Sequence, residues 1–449
     1  MESCETILAK EIYDLAKKIY PLQRSITGNP VRETLKILSD YISSTGSELN
    51  VYEIPTGTKV FDWIIPQEWR VTDAYLKDAE GTIVASYNDN CLHVMGYSAP
   101  IDAIMELEEL QTVIHTQTDQ PDVIPYVTSY YSKQPGFCMS EKQFRELKPG
   151  KYHIKIESEF YDGSLTYADL LIKGKTDDEI LISTYSCHPS MANDNCSGLA
   201  LAAGLAKYLF GVKDRRYTYR FVFAPETIGV IAYLSQNSNL EYMRQHVKAG
   251  FVLSCVGDNG NYSMIQSPSG DSLSDKVLSS ILNSLDVDSD RIKIHSFLDR
   301  GSDERQYNAP GVELGVVGFC RTKYWDFPEY HTSDDTMEFV SCEGFLGSFS
   351  VMKKVIETIE YNDSYVTTVP CEPQLGKRGL YPNVSQKNTY DEVAPMLNFL
   401  AYANGKRDLL EISEIIHCSV DRLIPIIDKL ILNGLIARKG EVNNENSDF

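Results

Sequence analysis

No stretch of this 449-residue chain approaches 18 uncharged apolar residues, so no membrane span is expected. The opening residues, "MESCETILAKEIYDLAKKIY", carry charge throughout and lack the apolar core of an export signal. C-x-x-C pairs are missing too, and the ten cysteines are scattered between Cys4 and Cys418 without regular spacing. In a chain of this length they read as reduced thiols of a cytoplasmic protein, not as a disulfide framework. Positive charge is in short supply, with 42 Lys and Arg against 63 Asp and Glu. The resulting formal charge of −21 argues against a polyanionic partner for the molecule as a whole. Internal repeats are absent, and the polar tail "NNENSDF" is expected to fray.

What is present divides four ways. Residues 5–20 and 31–44 space their apolar side chains helically around "PLQRSITGNP", so 1–54 is expected as N-terminal helices packing with the core. Residues 55–160 change to short runs such as "TIVASY" and "KYHIKI" between Pro, Gly and Asp turns, the pattern of a β-rich inserted domain. From 161 to 385 apolar strands alternate with helices: "DEILISTYS" precedes "GLALAAGLAKYLF", and "YRFVFAP" precedes "ETIGVIAYLSQ". "AGFVLSCVG" and "GVELGVVGF" are two further strands. Near-continuous apolar strands belong to a sheet buried on both faces, hence an α/β core. Residues 386–449 hold three helical patterns, with Ser419 as an N-cap and Gly434 as a stop, and resemble a winged helix-turn-helix. That segment carries seven Lys/Arg against ten Asp/Glu, a net of −3. Phosphate binding needs a cationic excess, so it is expected to contact protein rather than DNA.

Chemistry concentrates where the core strands end, which is where open α/β sheets build their sites. His188 follows "EILISTYS", and Asp194 comes six residues later, before the next helix. Glu226 lies in "APETIG", Asp258 in "SCVGDNG" and His331 in "EYHTSDDT". Imidazole and carboxylate are the donors zinc takes in catalytic sites, where three protein ligands leave one position for water. Each residue also has a plainer reading. A single loop histidine is commonly just hydrogen-bonded, and Glu226 could serve a helix N-terminus. Cys187 and Cys196 would ordinarily be small buried hydrophobes, although a Cys-His zinc site is conceivable. Arg305 reads as structural. The pairing of His188 with Asp194, and a second motif downstream, favour the ligand reading.

The order "H…DN-x-SG…E-T-x-G…VG…YHT-x-x-DT" resembles the aminopeptidase superfamily built around a two-zinc, co-catalytic centre. "NDNCSG" resembles that family's element whose aspartate bridges the metals, "YHTSDDT" the late element whose histidine is a ligand, and "SDERQYNAPGVELGVV" its Ser-Asp segment before a buried strand. The likeness covers roughly Thr166 to Glu360. Three departures stand out. The family's adjacent glutamates are Glu226-Thr227 here, which keeps the base and loses a ligand. The place of an aspartate before its Val/Ile-Gly pair is held by Ser254 in "LSCVG". The interval from His188 to Asp194 is shorter than usual.

The resemblance therefore implies a zinc-exopeptidase-like mixed sheet flanked by helices, with the inserted domain narrowing the cleft and a small C-terminal winged helix. It implies His188, Asp194 and His331 as ligands of one Zn²⁺ rather than two, with Asp258 in reserve. Glu226 would be the general base. Asp303 and Asp334 would orient ligands, and Tyr330, Tyr324 and Arg321 are candidate donors to substrate or oxyanion. The expected activity is hydrolysis of an amide in a small peptide or other small substrate, most simply as an aminopeptidase. Deacylation of an amino sugar and a non-enzymatic regulator on a peptidase scaffold are the alternatives. Oligomeric state is not legible.

Overall fold

A computed structural model describes residues 3–130, 132–236, 238–381 and 389–441. The tail "NNENSDF" and the start of the 386–449 segment lie outside the described residues. Two compact units result, residues 1–275 with 288–350, and residues 276–287 with 351–449.

The first unit is organised on an eight-stranded mixed sheet. Its strands are β1 (Asn50–Pro55), β2 (Ser164–Ile172), β3 (Glu179–Tyr185), β4 (Thr218–Ala224), β5 (Val247–Leu253), β6 (Tyr262–Ile265), β7 (Ile292–His295) and β8 (Val316–Cys320). The order across the sheet is β1-β2-β4-β3-β5-β8-β6-β7. The four strands β4, β3, β5 and β8 run parallel at the centre, while β1 and β2 pair antiparallel at one edge. All seven residues of β3 and of β4 are buried, as their mainly apolar runs lead one to expect.

Helices α1 (Cys4–Ile19) and α2 (Asn29–Ser43) pack on α3 (Gly198–Gly211), so the N-terminal segment is part of this core. Gly204 of α3 leaves room for Ile12, since a Cβ there would meet the Ile12 side chain at 2.5 Å. Lys207 pairs with Glu11 at 2.7 Å on the same face. Gly198, the last residue of the "NDNCSG" element, is fixed by close approach. A Cβ on it would lie 2.5 Å from the Leu253 carbonyl oxygen and 2.6 Å from Thr184 Oγ1. Overpacking of this kind costs roughly 1–3 kcal/mol or more. Gly198→Ala should therefore lower the urea midpoint clearly, and an unchanged midpoint would mean that the element is not wedged between β3 and β5.

The inserted residues form a small hairpin, Lys59–Val60 with Trp63–Ile64, and a four-stranded antiparallel sheet. The long strands Glu68–Lys77 and Lys151–Tyr161 lie at the centre of that sheet. Its own apolar core includes Ala74, Leu76, Phe137, Met139, Ile154 and Ile156.

In the second unit, helices Thr389–Tyr402, Leu409–Ile416 and Val420–Leu432 accompany a three-stranded sheet. Ser419 is the N-cap of the last helix, and Gly434 follows its end with φ 63°. The middle strand of that sheet is Ser364–Thr367, which pairs with both Asn404–Asp408 and Ile436–Arg438. It lies upstream of the expected boundary at 386, because four residues after a long helix carry too little periodicity to be read as a strand. No helix among the described residues is long and apolar enough to cross a membrane.

Candidate metal centre

His188, Asp194 and Glu226 all lie just beyond the carboxyl ends of β3 and β4, and His331 arrives on the loop after β8. His188 Nε2 is 3.8 Å from Asp194 Oδ2, and His331 Nε2 is 3.1 Å from the same oxygen. Ligand atoms of these three residues lie within 4.8 Å of one another. Asp194 Oδ2 and His331 Nε2 are both buried without a hydrogen-bond partner. Buried polar atoms are rarely left so. Two adjacent buried atoms without a hydrogen-bond partner, 3.1 Å apart, form an arrangement that a cation would complete. The residues present therefore fit a metal ion, and zinc suits two imidazoles with one carboxylate.

The "NDNCSG" residues each fix part of this geometry. Tyr185 donates its hydroxyl to Asp194 Oδ1, leaving Oδ2 for the centre. Backbone N–H groups of Asn193 and Asp194 donate to the two oxygens of Asp335 at 2.6 and 2.9 Å. Asn195 donates to Thr184 Oγ1, and Val256 N donates to Ser197 Oγ, so the loop is tied to β3 and to the segment after β5. Burial alone would raise the Asp194 carboxyl, but attraction to His188 and His331 when these carry a proton, together with the Tyr185 hydroxyl, draws it down to about 2. Burial pushes His188 down to about 4, which keeps it neutral and fit to bind a metal. Its Nδ1 lies 3.4 Å from Cys187 Sγ. Partners that hold a ligand in place typically matter 10–100-fold in metal affinity. Tyr185→Phe should therefore weaken zinc binding by about that factor while leaving the melting temperature of the metal-free protein nearly unchanged.

Glu226 is partly exposed and sits outside the three-ligand group, although it shares a second cluster with Cys187 and His188. Its N–H donates to Cys187 Sγ at 3.3 Å. The next residue, Thr227, has φ 64° and donates its N–H to Asp303 Oδ1 at 2.7 Å. Burial, and then the carboxylates of Asp303 and Asp194, push the Glu226 carboxyl well above its usual range.

The remaining sequence candidates are placed differently. Asp258 accepts from Gly260 N, Thr322 Oγ1, Thr322 N and Asn193 Nδ2, so both its oxygens are committed to its own neighbourhood. Asp334 is exposed, and the supporting position belongs to its neighbour Asp335. Asp303 supports the Glu226 turn rather than a histidine. Arg321 donates to the carbonyls of Asn261, Gly344 and Gly260, and the Tyr324 hydroxyl donates to Glu304. Tyr330 stacks on His331, with ring centroids 3.9 Å apart.

Three contributors escaped the sequence reading. Tyr185 ends an apolar strand and reads as core. Asp335 stands beside an identical residue. Tyr126 comes from the insertion, where no motif marks it, yet its ring lies 5.5 Å from His188 and 4.9 Å from His331. The backbone explains its position: Pro125 bridges to Thr332, and Tyr126 N donates to the His331 carbonyl at 2.8 Å. Ile124 N also donates to Ser333 Oγ at 3.0 Å.

Burial raises Asp303 to about 7 and Asp335 to about 8. Both therefore hold protons in the folded chain that the unfolded chain has released. Their contribution to stability is full below about pH 4 and is lost as pH rises through about 7 to 8. Asp303→Asn should flatten the fall in melting temperature of the metal-free protein between roughly pH 5 and pH 9. An unchanged slope would assign that fall to other groups.

A family model described as a domain of unknown function (DUF4910) matches residues 13–362. The chain belongs to this family. A winged helix-turn-helix model matches residues 363–438. A Clostridium acetobutylicum protein is 42% identical over 406 residues, 90% of each chain. It is provisionally named a polysaccharide biosynthesis protein with an aminopeptidase-like domain. A crystal structure of a provisionally assigned peptidase from C. acetobutylicum matches with a TM-score of 0.88 and 39% identity, covering 97% of both chains. A zinc aminopeptidase from Bacillus subtilis matches with a TM-score of 0.57 and 13% identity, covering 78% of this chain and 95% of that one. At that identity the likeness concerns architecture, and the DUF4910 chain shares the fold of zinc aminopeptidases.

Proposed function

We propose that this protein is a zinc-dependent hydrolase of a small amide, most simply an aminopeptidase, with one zinc held by His188, Asp194 and His331. The observation that carries the reading is the convergence of those three residues, with Asp194 Oδ2 and His331 Nε2 buried and unpartnered. One ion is favoured over two because Ser254 and Thr227 stand where further ligands would be needed and Asp258 is already saturated. The chemistry zinc supplies when bound is a lowered pKa for water, toward ~7, and polarisation of a carbonyl.

The chain's own groups do the rest. Cys187 Sγ lies beside His188 Nδ1 and steadies the ring. Tyr185 and Asp335 hold the Asp194 loop in place. Glu226, its carboxyl raised by burial and by the nearby carboxylates, receives a proton from the attacking water and returns it to the leaving nitrogen. Tyr330, stacked on His331, offers its hydroxyl to the developing oxyanion. Tyr126 walls the site from the side of the insertion, which suits small substrates better than folded proteins.

Deacylation of an amino sugar remains the second reading, favoured by the name of the C. acetobutylicum relative. Elemental analysis, followed by a screen of aminoacyl amides against N-acylated sugars, tests both. One zinc per chain with cleavage of aminoacyl amides supports the first reading, and cleavage of the sugars alone supports the second. No metal after purification in zinc removes both and leaves a binding role.

A further inference from the structure

Three arginines among the described residues are buried, and two of them are satisfied. Arg220 forms a two-pronged bond with Glu179, its Nε and Nη2 donating at 2.5 and 2.8 Å. Arg321 spends all three nitrogens on carbonyl oxygens and lies over the Tyr262 ring. Arg24, 2% exposed, is different. It donates Nη1 to the Ile19 carbonyl at 2.6 Å and Nη2 to Cys196 Sγ at 3.0 Å, and its Nε has no acceptor. No carboxylate among the described residues forms an ion pair with it. Arg321 has no carboxylate ion pair either, but all its nitrogens are placed; a buried charge that also keeps an N–H without an acceptor points to a partner from outside the chain.

Arg24 lines a narrow cavity of about 20 Å³ with Tyr87, Tyr126, Tyr130 and Pro189. That cavity adjoins the candidate metal centre. Pro189 follows His188, and Tyr126 packs on both His188 and His331. Within it, the hydroxyls of Tyr126 and Tyr130 lie 3.1 Å apart. Whichever of them donates to the other, one O–H remains to be given. A guanidinium Nε–H and a spare phenolic O–H, in a slot lined by aromatic rings, form a set of donors without an acceptor. We infer that Arg24 is the anion subsite of this centre and that the substrate is a small amide bearing a carboxylate.

Size decides between anions. The cavity has room for about one water-sized group, which suits an oxygen of a planar carboxylate better than a tetrahedral phosphate. The amide part of this inference rests on the hydrolase reading, whereas the anion subsite stands on Arg24 and the two tyrosines.

The test is calorimetric titration of the full-length chain, metal-stripped and zinc-loaded, with glutarate, its neutral diamide and inorganic phosphate. Glutarate should bind at least tenfold tighter than the diamide in both forms. Arg24→Met should remove that preference, and Arg24→Lys should keep part of it. Equal binding of the diamide, no binding of glutarate, or an Arg24→Met protein that still prefers glutarate would overturn the subsite. Tighter binding of phosphate would overturn the carboxylate assignment. The comparison of glutarate with its diamide needs no variant, so it decides even if Arg24→Met does not fold. Carboxylate binding without turnover of any amide would remove the hydrolase reading and leave the subsite. Equal turnover of acidic and neutral amides would do the reverse.

Discussion

Glu226→Gln should retain zinc and hydrolyse an aminoacyl amide about 10²–10⁴-fold more slowly, the usual contribution of a general base. Glutamine keeps the shape and hydrogen-bonding reach of the side chain, but it cannot carry the proton. Because Glu226 lies outside the three-ligand group, metal content should stay at the wild-type level. The turn that presents it is held by Asp303 and Cys187 through backbone N–H groups, which the substitution does not touch. The loss should appear in kcat, with KM little changed. In wild type the acid limb of the pH–rate profile should lie above the range of an ordinary carboxyl, following the upward shift of Glu226. Undiminished activity would exclude it as the base. Loss of zinc along with activity would make it a ligand, through the cluster it shares with Cys187 and His188.

The second large effect concerns His331. In wild type, zinc at 100 times its dissociation constant should stabilise the folded chain by about 2.7 kcal/mol. In His331→Ala that stabilisation should vanish at the same zinc concentration, while the metal-free protein melts near the wild-type temperature. Folding should survive because the loop is held through the backbone. The His331 carbonyl accepts from Tyr126 N, and Ser333 N donates to the Ile124 carbonyl. Alanine carries a Cβ as histidine does, so the φ of 55° at this position adds only a small cost in the variant. Differential scanning with and without a chelator reads both quantities. A zinc-dependent shift that persists in the variant would move the ion to the Cys187–His188–Glu226 cluster.

The core strands were legible because a sheet buried on both faces writes itself as mainly apolar runs, as in "EILISTY" and "TYRFVFA". "NDNCSG" was legible because nearly every residue in it has a separate task, which leaves little freedom of composition. Supporting groups were not. Tyr185 is an aromatic residue in an apolar strand, and only its hydroxyl distinguishes it from packing. In "SDD" the sequence offers two aspartates, and the backbone alone decides that Asp335 turns inward while Asp334 faces solvent. Tyr126 and Arg24 reach the centre through tertiary contacts, without any local pattern that marks them. The strand Ser364–Thr367 is four residues long, too short to show a period.

The bridge from Pro125 to Thr332 also governs when the centre can come into being during synthesis. The segment around Tyr126 leaves the ribosome long before His188, and the loop carrying His331 emerges last. A nascent chain that has already formed β3 and β4 therefore holds two of the three proposed ligands but not the third. Contacts across such sequence separations close late, because the intervening loops must be ordered first. An ion captured early would meet an incomplete set, and the full one appears only once the insertion and the β8 loop have found each other.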